Sequence, residues 1–173
     1  MTTPVPFQPL QLKWSDFTTY FLILVFAAGN LILPQLCHLI PSGGLIFLPI
    51  YFFTLIAAYK FGFKVGLATA ILSPLANSLL FGMPPMTVLP VILIKSCLLA
   101  AAAAAIADYS KKITIFHIVL VVLCYQLIGS AIEWIITQHL ASALTDLTTG
   151  IPGMLIQVFL GWYLLKKLAD YEC

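Results

Sequence analysis

The sequence predicts an all-α integral membrane protein, a compact bundle of about six transmembrane helices with both termini on the cytoplasmic side. Three observations lead there. Of 173 residues, 62% are hydrophobic and only 8% charged, whereas a soluble domain carries roughly a quarter charged residues. Apolar runs close to the roughly 20 residues needed for a span recur along the chain, separated by short turns. Nearly all the lysines fall in alternate turns.

Residues 1–16 (MTTPVPFQPLQLKWSD) lack a basic start and a short apolar core before a cleavage site, so they read as a retained cytoplasmic tail. The transmembrane domain then takes residues 17–173. Its predicted helices cover residues 17–36, 45–59, 65–81, 87–107, 113–136 and 151–168. The turns are CHLIPSGG, KFGFK, GMPPM, DYSKK and a longer polar loop over 137–149. The second helix is short and reads as weakly tilted or partly interfacial.

Orientation follows from charge. With the N-terminus inside, Lys13, Lys60, Lys64, Lys111, Lys112, Lys166 and Lys167 share one side, and the three opposite loops carry no Lys or Arg. Such a pattern demands an even number of spans. Trp14, Tyr20, Tyr59, Tyr109, Trp162 and Tyr163 then fall near the inner interface as an aromatic belt. Outside the tail, Pro34, Pro41, Pro49, Pro74, Pro84, Pro85, Pro90 and Pro152 all map to the outer half. Proline removes a helix hydrogen bond, and irregular backbone at membrane depth is tolerated only against protein or a wet cavity. The inner half is regular and rich in Ala and Leu, as in the run LLAAAAAAIA.

Polar groups within the spans are the candidate functional residues. Lys95 lies about nine residues into the fourth helix, roughly 13 Å deep. A charge there costs about 2.5–3.5 kcal/mol on insertion scales and needs a partner or water; it serves an anionic group of a ligand, pairs with Glu133, or snorkels outward. Gln126, Ser130 and Glu133 share one helix face, as site lining or as interhelical glue. Trp134 stacks on a ligand ring or anchors the interface. Asn30 and Asn77, beside Pro34 and Pro74, bind a ligand or cap carbonyls freed by the prolines. Gln157, between Gly153 and Gly161, reads as close packing.

His38 and His139 are too sparse for a metal site, and no CxxC pairs Cys37, Cys97, Cys124 or Cys173. No Walker A loop, GxSxG, HExxH or channel filter is present, and no inverted repeat relates the halves. Neither an enzyme nor a cofactor is expected. The absence of Arg and of a basic patch argues against nucleic acid.

The segment LPQLCHLIPSGGLIFLPIYFFTLIAAYKFGFKVGLATAILSPLANSLLFGMPP, followed by LPVILIKSCLLAAAAAAIA, resembles the substrate-binding S components of energy-coupling factor transporters. The resemblance rests on the Pro- and Gly-bearing first outer loop, the KFGFK turn and the LLFGMPP helix end. It implies a six-helix protein of the bacterial plasma membrane that captures a vitamin-like solute from outside, and the lone Lys95 favours an anionic or zwitterionic one. It also implies docking on a membrane coupling subunit driven by cytoplasmic ATPases. On this reading Asn30, Asn77, Lys95, Glu133 and the loop from His38 to Gly44 line the pocket. The Ala-x-x-x-Ala docking face of many members is absent from the first helix, where Leu31 and Ile32 follow Ala27, Ala28 and Gly29; small residues recur instead at Gly62, Gly66 and Ala70. The alternative is a structural or scaffolding membrane protein, which has no need of a buried lysine or a proline-broken outer half.

Overall fold

The computed structural model describes residues 5–10 and 12–170, so Cys173 lies outside the described residues. The elements are α1 (Phe17–Cys37), α2 (Gly43–Phe47), a 3₁₀ turn (Pro49–Tyr51), α3 (Phe52–Phe81), α4 (Leu89–Ser110), α5 (Ile115–Thr137), α6 (Leu140–Thr149) and α7 (Ile151–Asp170). The short strands β1 (Val5–Pro6) and β2 (Lys112–Ile113) pair antiparallel.

This is an all-α, multi-pass membrane fold. Four helical stretches are long and apolar enough to cross a bilayer: α1, Pro49–Phe81, α4 and α5. The α6–α7 pair, bent by 47°, makes a fifth if counted as one span. The outer surface agrees, since Phe17, Leu24, Leu79, Phe116 and Ile135 stand exposed at 66–83%. A monomer in water rarely shows so continuous an apolar coat.

The longest helix is folded on itself. Gly62 has φ 83° and ψ 177°, a region essentially reserved for glycine. A Cβ on Gly66 would lie 2.4 Å from the Ala58 Cβ, although eight residues span about 12 Å along a straight helix. Asn30 likewise bonds both Thr54 and Ser73, which a straight helix would hold about 28 Å apart. So α3 is a hairpin with arms 52–61 and 63–81, reversing at the glycine of KFGFK.

The predicted second helix, 45–59, is broken. Leu48 adopts the left-handed conformation between α2 and the 3₁₀ turn, and Pro49 cannot donate to continue the ladder. The Leu48 carbonyl, which accepts from the Tyr51 amide at 3.3 Å, also accepts from Gln157 Nε2 at 3.4 Å, and Gln157 Oε1 accepts from the Tyr125 hydroxyl at 2.9 Å. Gly153 lets α7 come this near, because a Cβ there would lie 2.5 Å from the Phe47 carbonyl. The predicted polar loop over 137–149 is largely helical. Leu140, Leu144 and Leu147 recur at helical spacing opposite Ser142 and Thr145.

The lysine-rich end is shut by the N-terminal segment. Phe7 is buried, with its amide on the Lys111 carbonyl, and the Leu10 amide bonds the Lys60 carbonyl. Lys60, predicted in an inner turn, is only 2% exposed and lies 4.9 Å from the centre of the Phe7 ring. Tyr59 is core rather than belt: it is fully buried and donates to the Lys112 carbonyl at 2.8 Å.

The hairpin yields a direct test. Gly62→Ala is expected to lose about 1–3 kcal/mol of stability to backbone strain. Gly66→Leu is expected to abolish monodisperse protein in detergent, because its side chain would occupy the space of Ala58. Thermal unfolding followed by size-exclusion chromatography reads both, and wild-type behaviour of Gly66→Leu would refute the hairpin.

Candidate functional site

At the proline-rich end the helices part to form a cavity of about 490 Å³. Its walls come from Pro34 of α1, the 38–45 loop with α2, Pro49 and Ile50, Asn77 of α3, the 83–85 turn, and Val88 and Ile92 leading into α4. Five of the prolines predicted to sculpt the outer half line it: Pro34, Pro41, Pro49, Pro84 and Pro85. The lining is mostly apolar, and His38, Ser42 and Asn77 supply the polar side chains.

Pro34 explains why Asn77 stands where it does. In α1 the Asn30 carbonyl would accept from residue 34, but proline has no N–H. Asn77 Nδ2 takes its place, donating to the Asn30 carbonyl at 2.8 Å and to the Ser73 carbonyl at 3.1 Å. The Asn30 side chain is equally committed. Its Nδ2 donates to the hydroxyls of Thr54 (3.0 Å) and Ser73 (3.2 Å), and its Oδ1 accepts from the Phe53 amide in the first turn of α3 (3.2 Å). Asn30 is fully buried behind the cavity wall, whereas Asn77 forms part of it. The His38 ring packs over Gly44, where a Cβ would lie 2.9 Å from Nε2.

Lys95 and Glu133 form the second polar centre. Lys95 Nζ meets Glu133 Oε2 at 2.6 Å, with both side chains buried. Ser142 of α6 donates to the other carboxylate oxygen at 3.0 Å. The helices approach closely because residue 129 is glycine; a Cβ there would lie 2.6 Å from Lys95 Cγ. Lys95 sits six residues into α4, about 9 Å from its start, and three residues beyond Ile92 of the cavity wall. Gln126 and Ser130 share the buried face of α5 with Glu133. Trp134 is half-exposed on a different face.

The predicted residues therefore fall into three neighbourhoods. His38 and Asn77 line the cavity; Asn30 is the fastening behind it; Lys95, Glu133, Gln126 and Ser130 form a buried cluster at the α4–α5 contact, with Trp134 outside. Sequence reasoning missed Ser142, because residues 137–149 read as loop, although the leucine spacing there was a usable signal. It also missed Ser96, which sits beside Lys95 and is fully buried. Among the described residues no three His, Cys, Asp or Glu side chains gather as a metal site would require. No family model matches the chain, and no curated protein or solved structure is detectably similar to it.

The ion pair predicts a non-additive response. Lys95→Met alone leaves a buried carboxylate uncompensated and is expected to cost about 3–5 kcal/mol. Lys95→Met combined with Glu133→Leu is expected to recover most of that loss. Thermal melts of the two singles and the double close the cycle, and strictly additive losses would show that the pair does not couple.

Proposed function

We propose that this protein is a membrane-embedded capture subunit for a small, vitamin-like solute, working in the manner of an energy-coupling factor S component. The observation that carries the reading is the proline-lined cavity. Its volume falls within the roughly 300–1,000 Å³ usual for small-molecule sites, and apolar walls with few polar groups are their common character. At the opposite, lysine-rich end the N-terminal segment is packed against the Lys60 and Lys111 carbonyls, with Phe7 buried. A cavity at one end and chain packed over the other suit capture better than free passage.

Side and partners follow as parts of the proposal. Under the positive-inside rule the lysine-rich end is cytoplasmic, so the cavity faces outward. Counting the arms of α3 separately, with α2 and the 3₁₀ turn extending the first, makes six passes and puts both termini inside a bacterial plasma membrane. Delivery of the solute then requires a partner, namely a membrane coupling subunit and its cytoplasmic ATPases. Lys95 is balanced by Glu133, which favours a solute without net charge, a zwitterion included; an anion would have to displace Glu133.

Native mass spectrometry of the protein released from its own membrane tests the reading. A solute of vitamin size is expected to co-purify, and Ile92→Trp, which fills the cavity from its wall, is expected to abolish its retention without altering the melting behaviour. If nothing co-purifies and no member of a vitamin panel binds, capture is wrong and a scaffolding role takes its place.

A further inference from the structure

Three side chains beside the Lys95–Glu133 pair remain without partners. Both polar atoms of the Gln126 amide, the Ser130 hydroxyl and the Ser96 hydroxyl are buried and find no hydrogen-bond partner among the described residues. Groups of this kind are nearly always satisfied inside folded proteins, and in an apolar medium no bulk water relieves them. They are not scattered. Gln126 and Ser130 lie one turn apart on the α5 face that carries Glu133. Ser96 is the neighbour of Lys95, whose stem packs against Gly129 between them. Four residues separate Ser96 from Ile92 of the cavity wall, a distance of about 6 Å along one helix face.

We infer that Ser96, Gln126 and Ser130 form the polar end of the ligand site, and that they take a neutral group with a donor and an acceptor side by side. The cis N–H–C=O edge of a lactam, ureide or imide is such a group. The inference rests on the capture reading above and specifies its substrate class. A glutamine amide is complementary to that edge, donating from Nε2 to the carbonyl while Oε1 accepts from the N–H. A carboxylate offers two acceptors and leaves Oε1 facing like charge; an ammonium group offers donors only and leaves Nε2 unpaired. The serine hydroxyls both donate and accept, so they complete either side of the edge. Lys95 and Glu133 neutralise each other, so the floor of the site carries no net charge to attract an ion. None of the three residues lines the cavity as it stands, so the group enters past Ile92, and the apolar cavity holds the rest of the molecule.

The test uses three probes of similar size on the full chain in lipid nanodiscs, with empty nanodiscs as the partition control. They are 3,4-dihydro-2(1H)-quinolinone, its N-methyl derivative and 2-naphthoate. Ligand-observed NMR titration is expected to show the lactam binding at least about tenfold more tightly than the other two, since a site built around a hydrogen-bonding edge rejects analogues that lack it. Gln126→Leu is expected to erase that preference while melting no lower than the parent, because it removes buried polar atoms that the protein does not satisfy. Ser130→Ala is expected to narrow the preference. Equal binding of the lactam and its N-methyl form, a preference that survives Gln126→Leu, or no binding by any probe would each overturn the assignment. A co-purified solute still retained by Gln126→Leu would leave capture standing while this assignment fails. Absence of both solute and probe binding would remove the two together.

Discussion

Asn30 commits both amide donors and its side-chain oxygen to three separate residues of α3, while its main-chain carbonyl accepts from Asn77. The rest of the proline-rich half depends on this fastening. It binds α1 to the start of one hairpin arm and to the middle of the other, at the depth where Pro34 and Pro74 interrupt their helices. In a bilayer, each backbone group that a proline strands must be answered by protein. The Asn77 amide answers the carbonyl that Pro34 strands, and in doing so sets the spacing between α1 and the second arm of α3. The cavity wall at Pro34 and Asn77 is the visible side of that arrangement.

The two ends of the molecule use opposite solutions to the same demand. At the lysine-rich end the backbone is closed by pairing, with the N-terminal segment laid against Lys60, Lys111 and the 112–113 strand. Its aromatic contact of Phe7 with Tyr59, at 5.6 Å between ring centres, seats the segment. At the other end, side chains rather than strands satisfy the backbone: Asn77 at the Pro34 interruption, Gln157 at the Leu48 break, and Ser78 on the Pro84 carbonyl at 2.8 Å. Side-chain caps hold irregular chain apart without filling the space between its segments. A cavity therefore persists where the prolines are.

Much of this was legible in the residues because it follows from composition and spacing. The apolar runs, the reversal at KFGFK and the crowding of prolines at one end each have a direct physical reading. The position of Gln126, Ser130 and Glu133 on one face needed only helical periodicity. What the sequence could not convey was pairing across helices. Asn30 and Asn77 offered a ligand reading and a capping reading, and only the fold shows their bonds to α1 and α3 backbone. Lys95 offered a ligand or Glu133, and the close approach through Gly129 puts the carboxylate within reach. The break at Leu48 was hidden because a left-handed leucine has no sequence signature, and α6 was hidden because its serines and threonines outweigh its leucines.

The Lys95–Glu133 pair also bears on why the interior cluster stays polar. Replacing a buried pair with apolar residues is often neutral or stabilising, and leucine in place of Gln126 or alanine in place of Ser130 would remove atoms that otherwise go unsatisfied. Stability alone thus gives no reason for five polar side chains to lie buried on α4 and α5. Helix association does not supply the reason either, because glue of that kind works through hydrogen bonds made between helices, and the atoms of Gln126, Ser130 and Ser96 make none among the described residues. The pair is also held by Ser142 of α6, so it is fixed as well as charge-balanced. A site of that character is suited to reading the shape and hydrogen-bonding order of a neutral group, whereas attraction of an ion would be served by a lysine alone.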